Sequence, residues 1–160
     1  MQEIKAIIFD WGGVLADAQT KEIFPYSLDV LEYCKNKGYR LTLASISSDF
    51  KERKTQIESS DLRPFFELVR ISPISKAQIQ DRSIDTKEKI YQEIMSYLNL
   101  EPAQVLIIDD RVVRGIKYGN NNGHPTVWVH SGRFSHELPD EDTKEPTYTI
   151  TSTEELKNLI

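Results

Sequence analysis

Five strand-length apolar segments, each rich in branched side chains, recur along the 160-residue chain: Ile4 to Phe9, Arg40 to Ser45, Glu67 to Ser72, Gln104 to Asp109 and Pro125 to His130. Between them lie stretches of helical spacing. The clearest runs from Thr86 to Leu98, where Ile90, Ile94 and Leu98 recur every four residues behind a capping-box start of Asp85 and Glu88. A second is expected from Leu28 to Lys37, stopping at Gly38, and shorter pieces around Phe50 to Glu58 and Val112 to Tyr118, with a final helix starting at 152–155. Strands too apolar to face water on either side, alternating with helices, predict an α/β fold. Its expected form is a three-layer, Rossmann-like, mostly parallel five-stranded sheet with helices on both faces. The polar stretch from Ser75 to Asp85 and the acidic loop from Ser135 to Pro146 are the segments expected to be least ordered.

The composition, 39% hydrophobic and 28% charged, is that of one globular domain spanning 1–160. The net charge of -5 argues against a general affinity for nucleic acid. No apolar run reaches the roughly 18 to 20 residues that span a bilayer, and the first residues, MQEIKA, are not a basic and then apolar leader, so the expectation is a cytoplasmic protein with no membrane partner. The single cysteine, Cys34, reads as a small apolar side chain on a helix.

In a parallel sheet, ligands belong at the carboxyl ends of the strands. That rule selects Asp10 after the first strand, Ser45 at the end of the second, and Asp109 with Asp110 after the fourth. If three carboxylates meet, they stay ionised only around a cation, and oxygen-only ligands suit Mg2+. His124, His130 and His136 are evenly spaced, but two flank a strand and no cysteine accompanies them.

These residues carry a resemblance to the haloacid dehalogenase superfamily of aspartate-nucleophile hydrolases. IIFDWGGVL resembles the first motif, Ser45 in LTLASISS the second, and VLIIDDRVV the fourth. The third motif, a lysine ahead of the fourth strand, has three candidates: Lys87, preferred for its place in the first helical turn, then Lys89 and Lys76. The resemblance implies a Mg2+-dependent phosphatase acting on a phosphate monoester. Asp10 would be the nucleophile, forming an aspartyl-phosphate. Asp10, the backbone oxygen of Gly12, Asp110 and an assisting Asp109 would hold the ion, and Lys87 and Ser45 would hold the phosphoryl group.

Position 12 departs from the pattern, because most phosphatases of the superfamily carry there a second aspartate that protonates the leaving group. Loss of such a group costs about 10^2 to 10^4 in rate. A weakened phosphatase, a different reaction on the same nucleophile, and a catalytically impaired domain that binds a phosphorylated ligand or a protein partner all remain open. Asp17 is a candidate substitute acid, and Arg111, Arg114 and Arg133 are candidate anion ligands or salt-bridge partners. Trp11 is a residue of the crevice or of the core. Neither usual cap insertion fits the spacing, so the site is expected to be open on one side. It would then suit a phosphorylated macromolecule, or a small molecule enclosed by a partner subunit; an oligomer is left open.

Overall fold

The computed structural model describes residues 3–84 and 86–160. Six strands form one sheet: β1 (Ala6–Phe9), β2 (Arg40–Ser47), β3 (Leu68–Pro73), β4 (Val105–Asp109), β5 (Thr126–Val129) and β6 (Tyr148–Ile150). Their order is β3-β2-β1-β4-β5-β6, and every neighbouring pair is parallel. The expected sheet of five strands is therefore one short. The missing strand, β6, has only three residues, and its pattern of one buried side chain in YTI gives too little alternation to be read from sequence.

Alternate side chains of the strands feed two cores. Ile7, Phe9, Leu41, Leu43, Leu106 and Ile108 face one side, where α1 (Ser27–Asn36) contributes Val30, Leu31 and Cys34. Ala6, Ile8, Ala44, Val105 and Ile107 face the other, against Ile90, Tyr91, Ile94 and Leu98. Those last four make the buried stripe of α4 (Glu88–Leu98), numbered after α2 (Phe50–Glu58) and α3 (Lys76–Ile79). Burying each large aliphatic side chain is worth about 1.5–3 kcal/mol, so the four-residue repeat, more than helix propensity, holds α4 on the sheet. The helix starts with Lys87 as its N-cap and ends at Asn99 in the left-handed conformation, φ 53°. Asp85, half of the expected capping box, lies outside the described residues.

Two expected helices take other forms. Val112–Ile116 is a π-helical turn leading into α5 (Lys117–Asn121), and the C-terminal segment Thr153–Asn158 is a 3-10 helix capped by Ser152. The polar stretch expected to be loose contains α3, started by a capping box between Ser75 and Gln78. Buried arginines tie it down: Arg111 donates to the carbonyl of Ile79 at 2.7 Å, and Arg114 donates to those of Asp81 at 2.7 Å and Ile84 at 2.9 Å. No helix among the described residues is long and apolar enough to cross a membrane.

Candidate active site

Strand order decides where the chemistry-bearing residues meet. The chain builds outward from β1 through β2 to β3, then returns to lay β4 on the other side of β1, which makes the β1–β4 edge the point where the order reverses and a crevice opens. Phe9 is paired with Ile108, and the Asp10 amide donates to the Ile108 carbonyl at 3.0 Å. Asp10 and Asp109 are thus next to each other at one end of the sheet. Carboxylate oxygens of Asp10, Asp109 and Asp110 lie within 4.8 Å of one another, and all three residues are buried.

One cation joins this cluster. Lys87 Nζ is 3.1 Å from Asp10 Oδ1 and donates to Asp109 Oδ2 at 2.8 Å, with 1% of its side chain exposed. Lys89 and Lys76, the competing lysines, are exposed on the surface. Lys87 faces inward because it sits one position ahead of the helix proper, where the chain enters α4 from the carboxyl end of the sheet.

The three carboxylates are not equivalent. Asp109 also accepts from the backbone amides of Arg111 at 2.9 Å and Gly115 at 3.0 Å. Burial pushes its carboxyl up, but Lys87, the Arg111 amide and the Asp110 side chain outweigh it and hold the carboxyl below its ordinary value. Burial pushes Asp10 up to about 6, with Lys87 opposing and Asp109 adding to the rise. Asp110 is driven well above the carboxylate range by burial and then by the charges of Asp10 and Asp109. Three acids against one ammonium leave an excess of buried negative charge. An all-oxygen donor set with that excess fits a hard divalent cation such as Mg2+.

A crevice of about 180 Å³ opens over the cluster, lined by Asp10, Gly12, Ile46, Arg53, Asp110 and Arg133 among others. Asp109 is behind this wall. Ser45 is fully buried, and its Oγ accepts from Arg53 Nη1 at 2.6 Å, so the wall of the crevice beside Ser45 is the guanidinium. Sequence reasoning missed Arg53. It lies one turn into α2, whose start right after β2 is fixed by Asp49 accepting from the Glu52 amide at 3.0 Å. Only the fold brings that turn over Ser45. Burial draws the guanidinium below its ordinary value against the opposing pull of Asp10, Glu52 and Asp110.

The two adjacent glycines differ in what they require. Gly13 has φ +76°, and a Cβ there would stand 2.1 Å from Asp110 Oδ2, so only glycine lets the loop turn and the carboxylate approach. Gly12 has neither constraint. A Cβ at Gly12 would make ordinary contacts, 3.7 Å to Ala18 Cβ and 3.9 Å to Arg53 Nη2.

The other singled-out residues have structural partners. Arg111 is buried in a two-pronged pair with Glu137, at 3.2 and 2.7 Å, and stacks 3.8 Å above the Phe134 ring, which takes it out of the candidate anion ligands. Arg114 holds the carbonyls of the α3 loop. Arg133 stays exposed at the crevice mouth. Asp17 accepts from the amides of Gln19 and Thr20, both at 2.8 Å, which lower its carboxyl, so it holds no proton to donate near neutrality. Trp11 is buried in the core. Burial pushes the Cys34 thiol up to about 12, as suits a core side chain.

Residues 86–156 match the model of the HAD-hydrolase-like family, a span that contains Lys87, Asp109 and Asp110. The whole fold superposes on the D,D-heptose 1,7-bisphosphate phosphatase of B. bronchiseptica, complexed with magnesium and phosphate, with TM-score 0.76 and 16% identity over 98% of this chain and 97% of that one. In its C-terminal part and in its fold the chain is thus similar to the haloacid dehalogenase superfamily. Another superfamily structure, a HAD phosphatase from Thermococcus onnurineus, superposes with TM-score 0.69 at 15% identity over 98% and 97% of the two chains. In sequence, the chain is 26% identical over 152 residues to the glyceraldehyde 3-phosphate phosphatase of Pyrococcus furiosus. That match covers 92% of this chain and 60% of the relative's length.

Proposed function

We propose that this protein is a Mg2+-dependent phosphatase acting on a phosphate monoester through Asp10. The observation that carries the reading is the Lys87 ammonium bridging Asp10 and Asp109 at 3.1 and 2.8 Å inside a cluster of three buried carboxylates. A magnesium ion held by Asp10, Asp110 and the backbone oxygen of Gly12 would neutralise carboxylate and phosphoryl charge, so that the two can approach. Asp109, behind the crevice wall, assists by fixing Lys87. Lys87 keeps the Asp10 oxygen ionised and aimed at phosphorus. Ser45, behind the wall, fixes the Arg53 guanidinium that faces the phosphoryl compound from α2. Asp10 adds to phosphorus and expels the leaving oxygen, and water then hydrolyses the aspartyl-phosphate. The chain acts as one domain in the cytoplasm, on a phosphorylated small molecule or macromolecule.

The competing reading, a binding domain with an impaired site, is favoured by the absence of an acid at Gly12. One assay separates the two. Purified protein with 4-nitrophenyl phosphate and Mg2+ is expected to release phosphate, and Asp10→Asn is expected to abolish the release. Equal release by both proteins, or none from either, overturns the phosphatase reading.

A further inference from the structure

Position 12 lacks a proton donor in a place where a side chain would fit. Neither backbone angle nor packing forces glycine there, since the Cβ contacts would be 3.7 and 3.9 Å, whereas Gly13 beside it is forced on both counts. Of the two side-chain atoms a Cβ there would meet within 4 Å, the polar one is Arg53 Nη2, at 3.9 Å. The other end of the same guanidinium donates to Ser45 Oγ at 2.6 Å and to the Ile46 carbonyl at 3.3 Å, which fixes its plane against the crevice wall. A guanidinium keeps its charge throughout the physiological range and cannot give up a proton. The site has therefore a fixed positive charge where an acid would stand, and Asp17, the nearby loop acid, is held ionised in its own turn.

We infer that the substrates of this protein are phosphoryl compounds whose leaving group departs as an anion without taking a proton, such as acyl phosphates, enol phosphates or phosphoanhydrides, and that Arg53 is the charge that receives it. The inference rests on the proposed phosphatase activity and deepens it. In the first step an Asp10 carboxylate oxygen bonds to phosphorus while the bond from phosphorus to the leaving oxygen breaks. The bonding pair stays on that oxygen beside Arg53, and no proton moves. In the second, water adds to phosphorus, the electron pair returns to Asp10, and both water hydrogens leave on dihydrogen phosphate. An alkoxide leaving group, nearly as basic as hydroxide, is poorly served by this site, while a carboxylate, whose acid titrates near about 4, needs no proton at all. Arg53 contributes by electrostatic stabilisation from a guanidinium already held in place by Ser45 and the Ile46 carbonyl, so little reorganisation is needed as charge develops.

The test is kcat/KM, which does not depend on hydrolysis of the phosphoenzyme, for acetyl phosphate, 4-nitrophenyl phosphate, phenyl phosphate and glycerol 3-phosphate. The wild type is expected to fall steeply along that series. Gly12→Asp is expected to raise the glycerol 3-phosphate value about 10^2-fold or more while moving acetyl phosphate only a few-fold. Arg53→Gln is expected to steepen the dependence on leaving-group acidity and Arg53→Lys to restore it. That dependence compares substrates within one protein, so partial unfolding of a variant does not change it. A shallow wild-type dependence with Asp10-dependent turnover overturns the inference and leaves the phosphatase reading standing. Equal loss on all four substrates in Arg53→Gln overturns the role of Arg53, and absence of Asp10-dependent turnover of any of them removes the phosphatase reading itself.

Discussion

Lys87 Nζ sits 2.8 Å from Asp109 Oδ2 at the base of the crevice, and the same nitrogen reaches Asp10 Oδ1 at 3.1 Å. A single buried ammonium thus ties together the tips of the two central strands and the start of α4. Removing it leaves carboxylates buried without their counter-charge.

Lys87→Met is therefore expected to lower stability by about 3–5 kcal/mol near neutral pH, the usual result of deleting one partner of a buried ion pair. Lys76→Met and Lys89→Met, both at exposed positions, are expected to stay within about 0.5 kcal/mol. Urea denaturation of the three variants checks the contrast, and a Lys87 variant as stable as the surface pair contradicts it.

The neighbouring glycines give opposite expectations. Gly13→Ala places a methyl in a left-handed conformation and against Asp110 Oδ2, so a loss of more than about 2 kcal/mol is expected together with weakened Mg2+ binding. Gly12→Ala meets only ordinary contacts and is expected to fold within about 1 kcal/mol of wild type. Thermal melts with and without Mg2+ measure both effects.

Stabilisation by Mg2+ should depend on pH with a definite sign. In the ion-free protein Asp10 is raised from 3.8 to about 6, so the folded state holds a proton that the unfolded chain has already released. Its stability contribution is accordingly lost as pH rises between those two values, and a cation that replaces the proton restores it. The rise in Tm on adding saturating Mg2+ is expected to be larger at about pH 7.5 than at about pH 5, and largely absent in Asp10→Asn. A rise independent of pH would place the ion elsewhere.

His124 is buried, with its Nδ1 2.9 Å from the Val105 carbonyl oxygen, and burial lowers its pKa below 6.5. The unfolded chain takes up a proton near 6.5 while the folded one resists, so stability is unaffected above that value and falls as pH drops below it. His124→Gln is expected to remove that part of the slope between about pH 7 and pH 5.5, read as the change in urea midpoint. An unchanged slope would mean that the imidazole accepts its proton without opening the fold.

The order of strands and helices was legible because the apolar segments are long enough for their periodicity to register, and α4 shows the case most plainly with Ile90, Ile94 and Leu98. β6 was not, because three residues with one buried side chain carry no period. The acidic tips were legible by the strand-end rule. Lys87 could be preferred over its rivals, but its burial depends on where α4 enters the sheet. Arg111 could be an anion ligand or a salt-bridge partner on sequence, and only the fold, by bringing Glu137 from a distant loop, decided for the salt bridge. Arg53 carried no signal, since a basic residue one turn into a short polar helix is ordinary until that helix lies over Ser45.

The sequence by itself determined the alternating architecture, the carboxylates at the strand ends, and the absence of an acid at position 12, since these follow from local periodicity and residue identity. Tertiary structure alone decided which lysine meets Asp10, that Asp109 is turned inward while Asp110 lines the crevice, and that a guanidinium stands beside Gly12. Those are distances between atoms on separate elements. They are set by strand order and by packing across the whole sheet, neither of which is written in any short stretch of the chain.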